Sequence, residues 1–208
     1  MTKTHSSAPS LIAAIACLLI ALGTTGLAFM MLEILFLREL LITLGGSVYA
    51  SSAVLASVMF GLFLGSQIFG LLTTKIKNTA ALLAAMELSL ALSSAILIPA
   101  LRLIGQIPDW NTRYLLSFLV ILIPSALVGG EVPVAMQFCE GFIKKGRTGL
   151  YAGIVYGADT LGALAGAIIL PFWFLPALGA YQSSLVAAAA ELISGLVIIA
   201  WAGQWKKW

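Results

Sequence analysis

The sequence predicts an all-α integral membrane protein with six transmembrane helices, and three observations carry that prediction. Hydrophobic residues fill 61% of the 208 positions and charged ones 9%, with mean hydropathy +1.08, a balance that a soluble domain does not sustain. A helix needs roughly 20 apolar residues to cross a bilayer, and six such runs follow one another at 11–37, 48–72, 80–103, 115–138, 150–175 and 177–201. The connections between them are too short to hold a soluble domain, so residues 1–208 read as a single transmembrane domain.

The helices differ in what they carry. The first ends in "LEILFLREL", which sets Glu33, Arg38 and Glu39 near one membrane face. Glu33 and Arg38 lie five residues apart, about 140° round a helix, so Arg38 snorkels to the interface while Glu33 points into the bundle. This cluster reads as an interfacial ion network that fixes the first helix. On the second helix Ala53, Ser57, Gly61 and Gly65 recur every fourth residue, a stripe that lets a neighbouring backbone come close. Pro124 and Pro133 in the fourth helix and Pro171 in the fifth read as kinks. The fifth helix has two small-residue stripes, Gly153, Gly157 and Thr160 on one side and Gly162 with Gly166 on another, which predicts a central helix with neighbours on both sides.

If successive helices alternate in direction, one side collects Lys3, Lys75, Lys77, Lys144, Lys145, Arg147, Lys206 and Lys207, and the other holds Arg38, Arg102 and Arg113. The positive-inside rule then puts both termini in the cytoplasm, as a multi-pass protein of a bacterial inner membrane. Anionic headgroups account for the net charge of +3, so the bilayer is the expected partner and nucleic acid is not.

An ionisable side chain in hydrocarbon costs at least about 2.5 kcal/mol, so each one demands a partner or a use. Here they are acids: Glu87, Glu131, Asp159 and Glu191 in helices three to six, with no lysine or arginine at that depth. Asp159 shares a helical face with Tyr156, Gly162 and Gly166. Two readings stay open. The acids are protonated or hydrogen-bonded glue between helices, or Asp159, Glu131, Glu191, Glu87 and Tyr156 line a path for a cation or proton. Contact with a partner subunit is a third.

Other chemistries are excluded by what is absent. His5 is the one histidine, and Cys17 and Cys139 lack CxxC spacing and read as packing residues, so no metal or haem site is expected. No nucleotide, metalloprotease or serine-hydrolase motif occurs, so neither a catalytic residue nor a cofactor is expected.

A faint internal echo joins the two halves: Tyr49-Ala50 precedes Gly61 and Gly65, as Tyr151-Ala152 precedes Gly162 and Gly166. Helices two and five run in opposite directions, so the echo is that of an inverted three-plus-three repeat, as in half of a major-facilitator transporter.

The segments "LEILFLREL", "GSVYASSAVLASVMFGLFLGSQIFG", "GGEVPVAMQF" and "LYAGIVYGADTLGALAGAIILPFWFLPALG" together resemble the membrane domain of bacterial spermidine synthase-like proteins. Glu33, Arg38, Glu131, Pro133, Tyr151, Asp159, Gly162, Gly166 and Pro176 carry the match. The resemblance implies a soluble aminopropyltransferase domain after the membrane domain, whereas this chain ends at "GQWKKW". No catalytic residue is carried over, and the expected protein is not an enzyme on its own. It is expected to conduct a polyamine, another cation or a small solute, or to anchor a larger redox or split-transferase complex. A homo-oligomer or partner subunits are expected, a separate transferase docking on Lys144, Lys145, Arg147, Lys206 and Lys207.

Overall fold

The computed structural model describes residues 8–46, 48–76, 78–139 and 148–205, with side chains between 15 and 200. Among these, every regular element is helical: α1 Ala8–Thr43, α2 Val48–Thr73, α3 Thr79–Ile104, α4 Trp110–Cys139, α5 Thr148–Ile169, a π-helical turn Leu170–Phe174 and α6 Leu175–Trp205. Five stretches are long and apolar enough to cross a membrane: Ile15–Thr43, Val48–Thr73, Thr79–Ile104, Trp110–Cys139 and Thr148–Ala200.

The last stretch corrects the expected boundary between the fifth and sixth runs. Pro171 does not end the helix, because the wider π turn accommodates the missing N–H and the ring, and Leu175 N–H donates to the Leu170 carbonyl. Pro176 sits in the first turn of α6, where a proline is tolerated. The helical backbone fails instead at Gly179, with φ 77° and ψ 176°. That region is essentially restricted to glycine. A Cβ at Gly179 would meet nothing within 4 Å, so only the backbone resists substitution. Gly179→Ala is expected to cost about 1–3 kcal/mol, read as a lower melting midpoint in mild detergent. An unchanged midpoint would show that the break does not need this conformation.

Contacts between helices fix their directions. Thr25 lies by Glu87 and Glu39 by Arg102, so α1 and α3 are parallel. Gly23 packs on Gly162 and Leu27 on Gly166, so α1 and α5 are parallel too. Ser94 meets Glu191, and Gly195 lies by Glu87, so α6 runs against α3. It follows that α6 is antiparallel to α5, and the chain reverses at Gly179. By the same reasoning α2 and α4 are parallel, through Tyr49 with Trp110 and Gly61 with Ser125, and Arg113 at the Thr43 carbonyl sets α4 against α1.

The centre of the bundle is α1, not α5. Ala28, Met31, Leu32, Leu35 and Phe36 are fully buried, and α1 packs most extensively on α5 and α6 while touching the other three. In turn α4 packs mainly on α2 and α3, and α3 also packs on α6. Lipid offers helices little hydrophobic drive to associate, so close backbone approach has to supply packing energy. Gly61 and Gly65 lie directly on the Ser125–Ala126 backbone of α4, and Gly162 and Gly166 on the Gly23–Leu27 backbone of α1. Gly153 and Gly157 have nothing within 4 Å, and Thr160 is exposed, so this predicted packing stripe meets no neighbour among the described residues.

At the start of α4, Asp109 caps the helix: the Thr112 hydroxyl and backbone N–H both donate to Oδ2, at 2.5 and 2.7 Å. These bonds hold its carboxyl below the usual range. Their contribution is present at neutral pH and fades as pH falls through that lowered value. Of the predicted basic side only Lys75 is described, at the end of the bundle opposite Arg38, Arg102 and Arg113; Lys3, His5, Lys77, Lys144, Lys145, Arg147, Lys206 and Lys207 lie outside the described residues.

Candidate functional site

The predicted acids do not share one fate. Glu87 in α3 and Glu191 in α6 are 0% exposed and Glu131 in α4 is 2% exposed. Asp159 in α5 is half-buried, its Oδ1 facing the Gly26 backbone of α1. Tyr156 is 62% exposed and lines nothing in the interior.

Glu87 and Glu191 are each half satisfied. Thr25 Oγ1 lies 3.0 Å from Glu87 Oε1 and 3.2 Å from the Ala21 carbonyl, its one proton serving one acceptor at a time. Ser94 Oγ donates to Glu191 Oε2 at 2.7 Å. The second oxygens, Glu87 Oε2 and Glu191 Oε1, are buried with no partner, as are Glu131 Oε1 and the Ser194 hydroxyl. Glu131 lies in electrostatic reach of Glu87, Asp159 and Glu191, and by the Thr25 hydroxyl. The ion pairs among the described residues involve Glu39 alone, so no cationic side chain answers the cluster. Nor do three His, Cys, Asp or Glu come close enough among them to hold one metal ion.

Burying polar atoms without partners costs about 1–3 kcal/mol each, more when they are charged. Four such atoms in a bundle otherwise built of Leu, Ala and Gly make a site that can receive hydrogen-bond donors. The hydroxyl residues Thr25, Ser94 and Ser194 that frame it escaped the sequence reading. No local signal marked them, although the acids' own surroundings echo each other, Ala84-Ala85-Met86-Glu87-Leu88 and Ala188-Ala189-Ala190-Glu191-Leu192.

At the far end of α1, Glu39 is 3% exposed and accepts from Arg38 Nη1 at 2.6 Å and from Arg102 Nε at 3.2 Å. Arg113 Nη1 donates to the Thr43 carbonyl at 2.9 Å. Glu33, expected in this network, is half-buried and makes no hydrogen bond or ion pair among the described residues; Arg102, from α3, takes the place expected for it. Glu39→Gln is expected to destabilise by about 1–2 kcal/mol, because both arginine side chains are near half exposed and solvent screens them. Melting at low and high salt checks this, the loss shrinking as salt rises.

A groove of about 550 Å³ lies between α1 and α6, and another of about 370 Å³ lies between the α2–α3 connection and Gln137 of α4.

No family model matches the chain, and no solved structure matches it. Curated relatives do. The chain is 30% identical over 177 residues to Polyamine aminopropyltransferase 2 of Streptomyces coelicolor, an alignment covering 81% of this chain and 30% of that protein. It is 24% identical over 91 residues to Polyamine aminopropyltransferase 1 of the same organism, covering 43% and 17%. The chain thus spans less than a third of the length of these relatives, and over most of its own length it is distantly similar to the first of them.

Proposed function

We propose that this chain is a membrane domain that binds an organic cation, a polyamine or related amine, and passes it through the bundle along Glu87, Glu131, Glu191 and Asp159. The observation that carries this reading is the set of three buried glutamates, each with one oxygen unpartnered and none with a cationic side chain beside it among the described residues. Ammonium groups bring three donors and a positive charge, which is what those oxygens lack. The relatives' name, polyamine aminopropyltransferase, agrees with a ligand of that class.

In this reading the 53-residue stretch Thr148–Ala200 crosses twice. At 1.5 Å per residue it would extend about 80 Å if straight, against a hydrocarbon core of about 30 Å. With six crossings, Lys75 lies on the cytoplasmic side of a bacterial inner membrane with both termini, and Arg38, Arg102 and Arg113 lie outside. The packing supports an inverted repeat: exchanging α1 with α4, α2 with α5 and α3 with α6 turns the α1–α5 and α1–α6 contacts into α4–α2 and α4–α3, and α3–α6 into itself. Glu87 and Glu191 are then equivalent residues facing each other across the repeat boundary, a usual place for transporter sites.

The second reading, a membrane anchor for an aminopropyltransferase, is favoured by the alignment with under a third of each relative. A homodimer or a partner subunit suits either reading. Purified protein in liposomes separates them: spermidine uptake above protein-free vesicles is expected of the conduit. No uptake, with a soluble transferase co-purifying, would replace it by the anchor.

A further inference from the structure

The acids buried in the bundle are short of hydrogens, and Glu87 is where one is most easily added or removed. Its Oε1 lies 3.0 Å from the Thr25 hydroxyl, which also lies 3.2 Å from the Ala21 carbonyl and beside Glu131. One hydroxyl proton thus faces three acceptors. From α6 comes Ser194, 7% exposed, whose hydroxyl lies beside the Glu87 carboxyl while neither it nor Glu87 Oε2 completes a hydrogen bond. Glu191 has one hydroxyl, Ser94 at 2.7 Å, and Glu131 is left with a share of Thr25.

A hydroxyl both donates and accepts, so it suits a carboxyl in either protonation state. With a proton on Oε2, Glu87 donates to Ser194 Oγ, and Thr25 is left to serve the Ala21 carbonyl. Without that proton, both hydroxyls swing round and donate to the carboxylate. The difference between the two states is the rotation of two hydroxyl hydrogens. The groups facing Glu87 give the proton a reason to be there. Helix α4 brings Glu131 and α6 brings Glu191, both acids, while α1 brings the neutral Thr25. Arg102, on the same helix, is about four turns away and paired with Glu39. Like charges grouped in hydrocarbon without a cation do not all ionise together.

We propose that Glu87 is a proton-exchange site, its neutral and charged forms served in turn by the Ser194 and Thr25 hydroxyls, and that its proton leaves to water as an organic cation enters the cluster. The charge balances: one ammonium group enters, one proton departs, and Glu87 passes from carboxylic acid to carboxylate. The second half rests on the conduit reading and makes the conduit an exchanger, whereas the proton site stands without it.

The test is infrared difference spectroscopy on the full chain in nanodiscs of zwitterionic lipid, since protonated and ionised carboxyls absorb at separate frequencies. Ordinary surface carboxyls are already ionised at neutral pH. A step from neutral to alkaline pH is therefore expected to convert only buried protonated carboxyls, through a band that shifts in heavy water. Glu87→Gln, near-isosteric, is expected to lose part of that change. Ser194→Ala is expected to keep the band and shift its frequency, because the carboxyl O–H loses its acceptor; a serine that only packs would leave the frequency alone. Spermidine added at constant neutral pH is expected to convert the wild-type Glu87 band to carboxylate. A wild type with no protonated carboxyl at neutral pH, or a change that Glu87→Gln leaves whole, would overturn the proton site. Spermidine uptake by liposomes with the Glu87 band unmoved would overturn the exchange and keep the conduit. A Glu87 band that answers pH in a protein without uptake would keep the proton site and remove the conduit.

Discussion

Gly65→Ala is expected to destabilise the bundle by about 3 kcal/mol, the upper part of the range for overpacking. A Cβ at Gly65 would sit inside the Ala126 carbonyl, and backbone cannot swing aside as a side chain does. The only relief is to move α2 away from α4, which gives up contact along the whole seam from Tyr49 and Trp110 to Gly70 and Pro133. Gly162→Ala meets the Gly23 carbonyl on α1 in the same way and should lose a similar amount. Gly157→Ala, five residues before Gly162 on α5, meets nothing within 4 Å and is expected to be neutral or to gain up to about 1 kcal/mol from helix propensity. Unfolding midpoints in a graded detergent mixture compare all three. Equal losses at Gly65 and Gly157 would mean that backbone approach is not what holds the helices together.

The second large effect is on activity. Glu131→Gln is expected to reduce spermidine uptake at least about tenfold while leaving the melting midpoint unchanged or higher. The opposite signs follow from its surroundings. Glu131 is 2% exposed, Oε1 lacks a partner, and the acids around it are Glu87, Asp159 and Glu191. Replacing a poorly compensated buried charge by a neutral or apolar group of like volume is often neutral or stabilising, by up to about 4 kcal/mol. A residue kept at a cost to stability is one that function uses. If Glu131 were glue between helices, Gln would lower the midpoint and spare uptake per folded molecule. Glu131→Leu extends the test, since it removes the donor that Gln supplies.

Composition and run length were enough to read an all-helical chain of long apolar stretches, five of which are long enough to span, because apolar backbone in lipid has to bond within itself. Where the chain turns was not legible. Pro171 read as a kink in the fifth helix and Pro176 fell between the fifth and sixth runs, yet a π turn absorbs one and the first turn of α6 the other, leaving the reversal to Gly179. Spacing also cannot say which face of a helix meets a neighbour. Gly153 with Gly157 and Gly162 with Gly166 have the same four-residue period, and only the second pair is packed. The acids were legible as residues out of place in lipid, but their hydroxyl partners were not, since Thr25 is 62 residues from Glu87 and Ser94 is 97 from Glu191. Tyr156 shows the limit of face arithmetic: it shares a stripe with Asp159 and still points outward.

The cluster around Glu39 clamps three helices together at one end of the bundle. It ties α1 to α3 through Arg102, and Arg113 ties α4 to the end of α1, all at one end. Local opening spares the places where ties are most numerous, so thermal agitation leaves the Glu39 end closed longest. Amides of α1 beside Glu39 should therefore exchange their hydrogens last. Helices clamped in this way move as one body at that mouth, so three of them have to shift together before anything passes there.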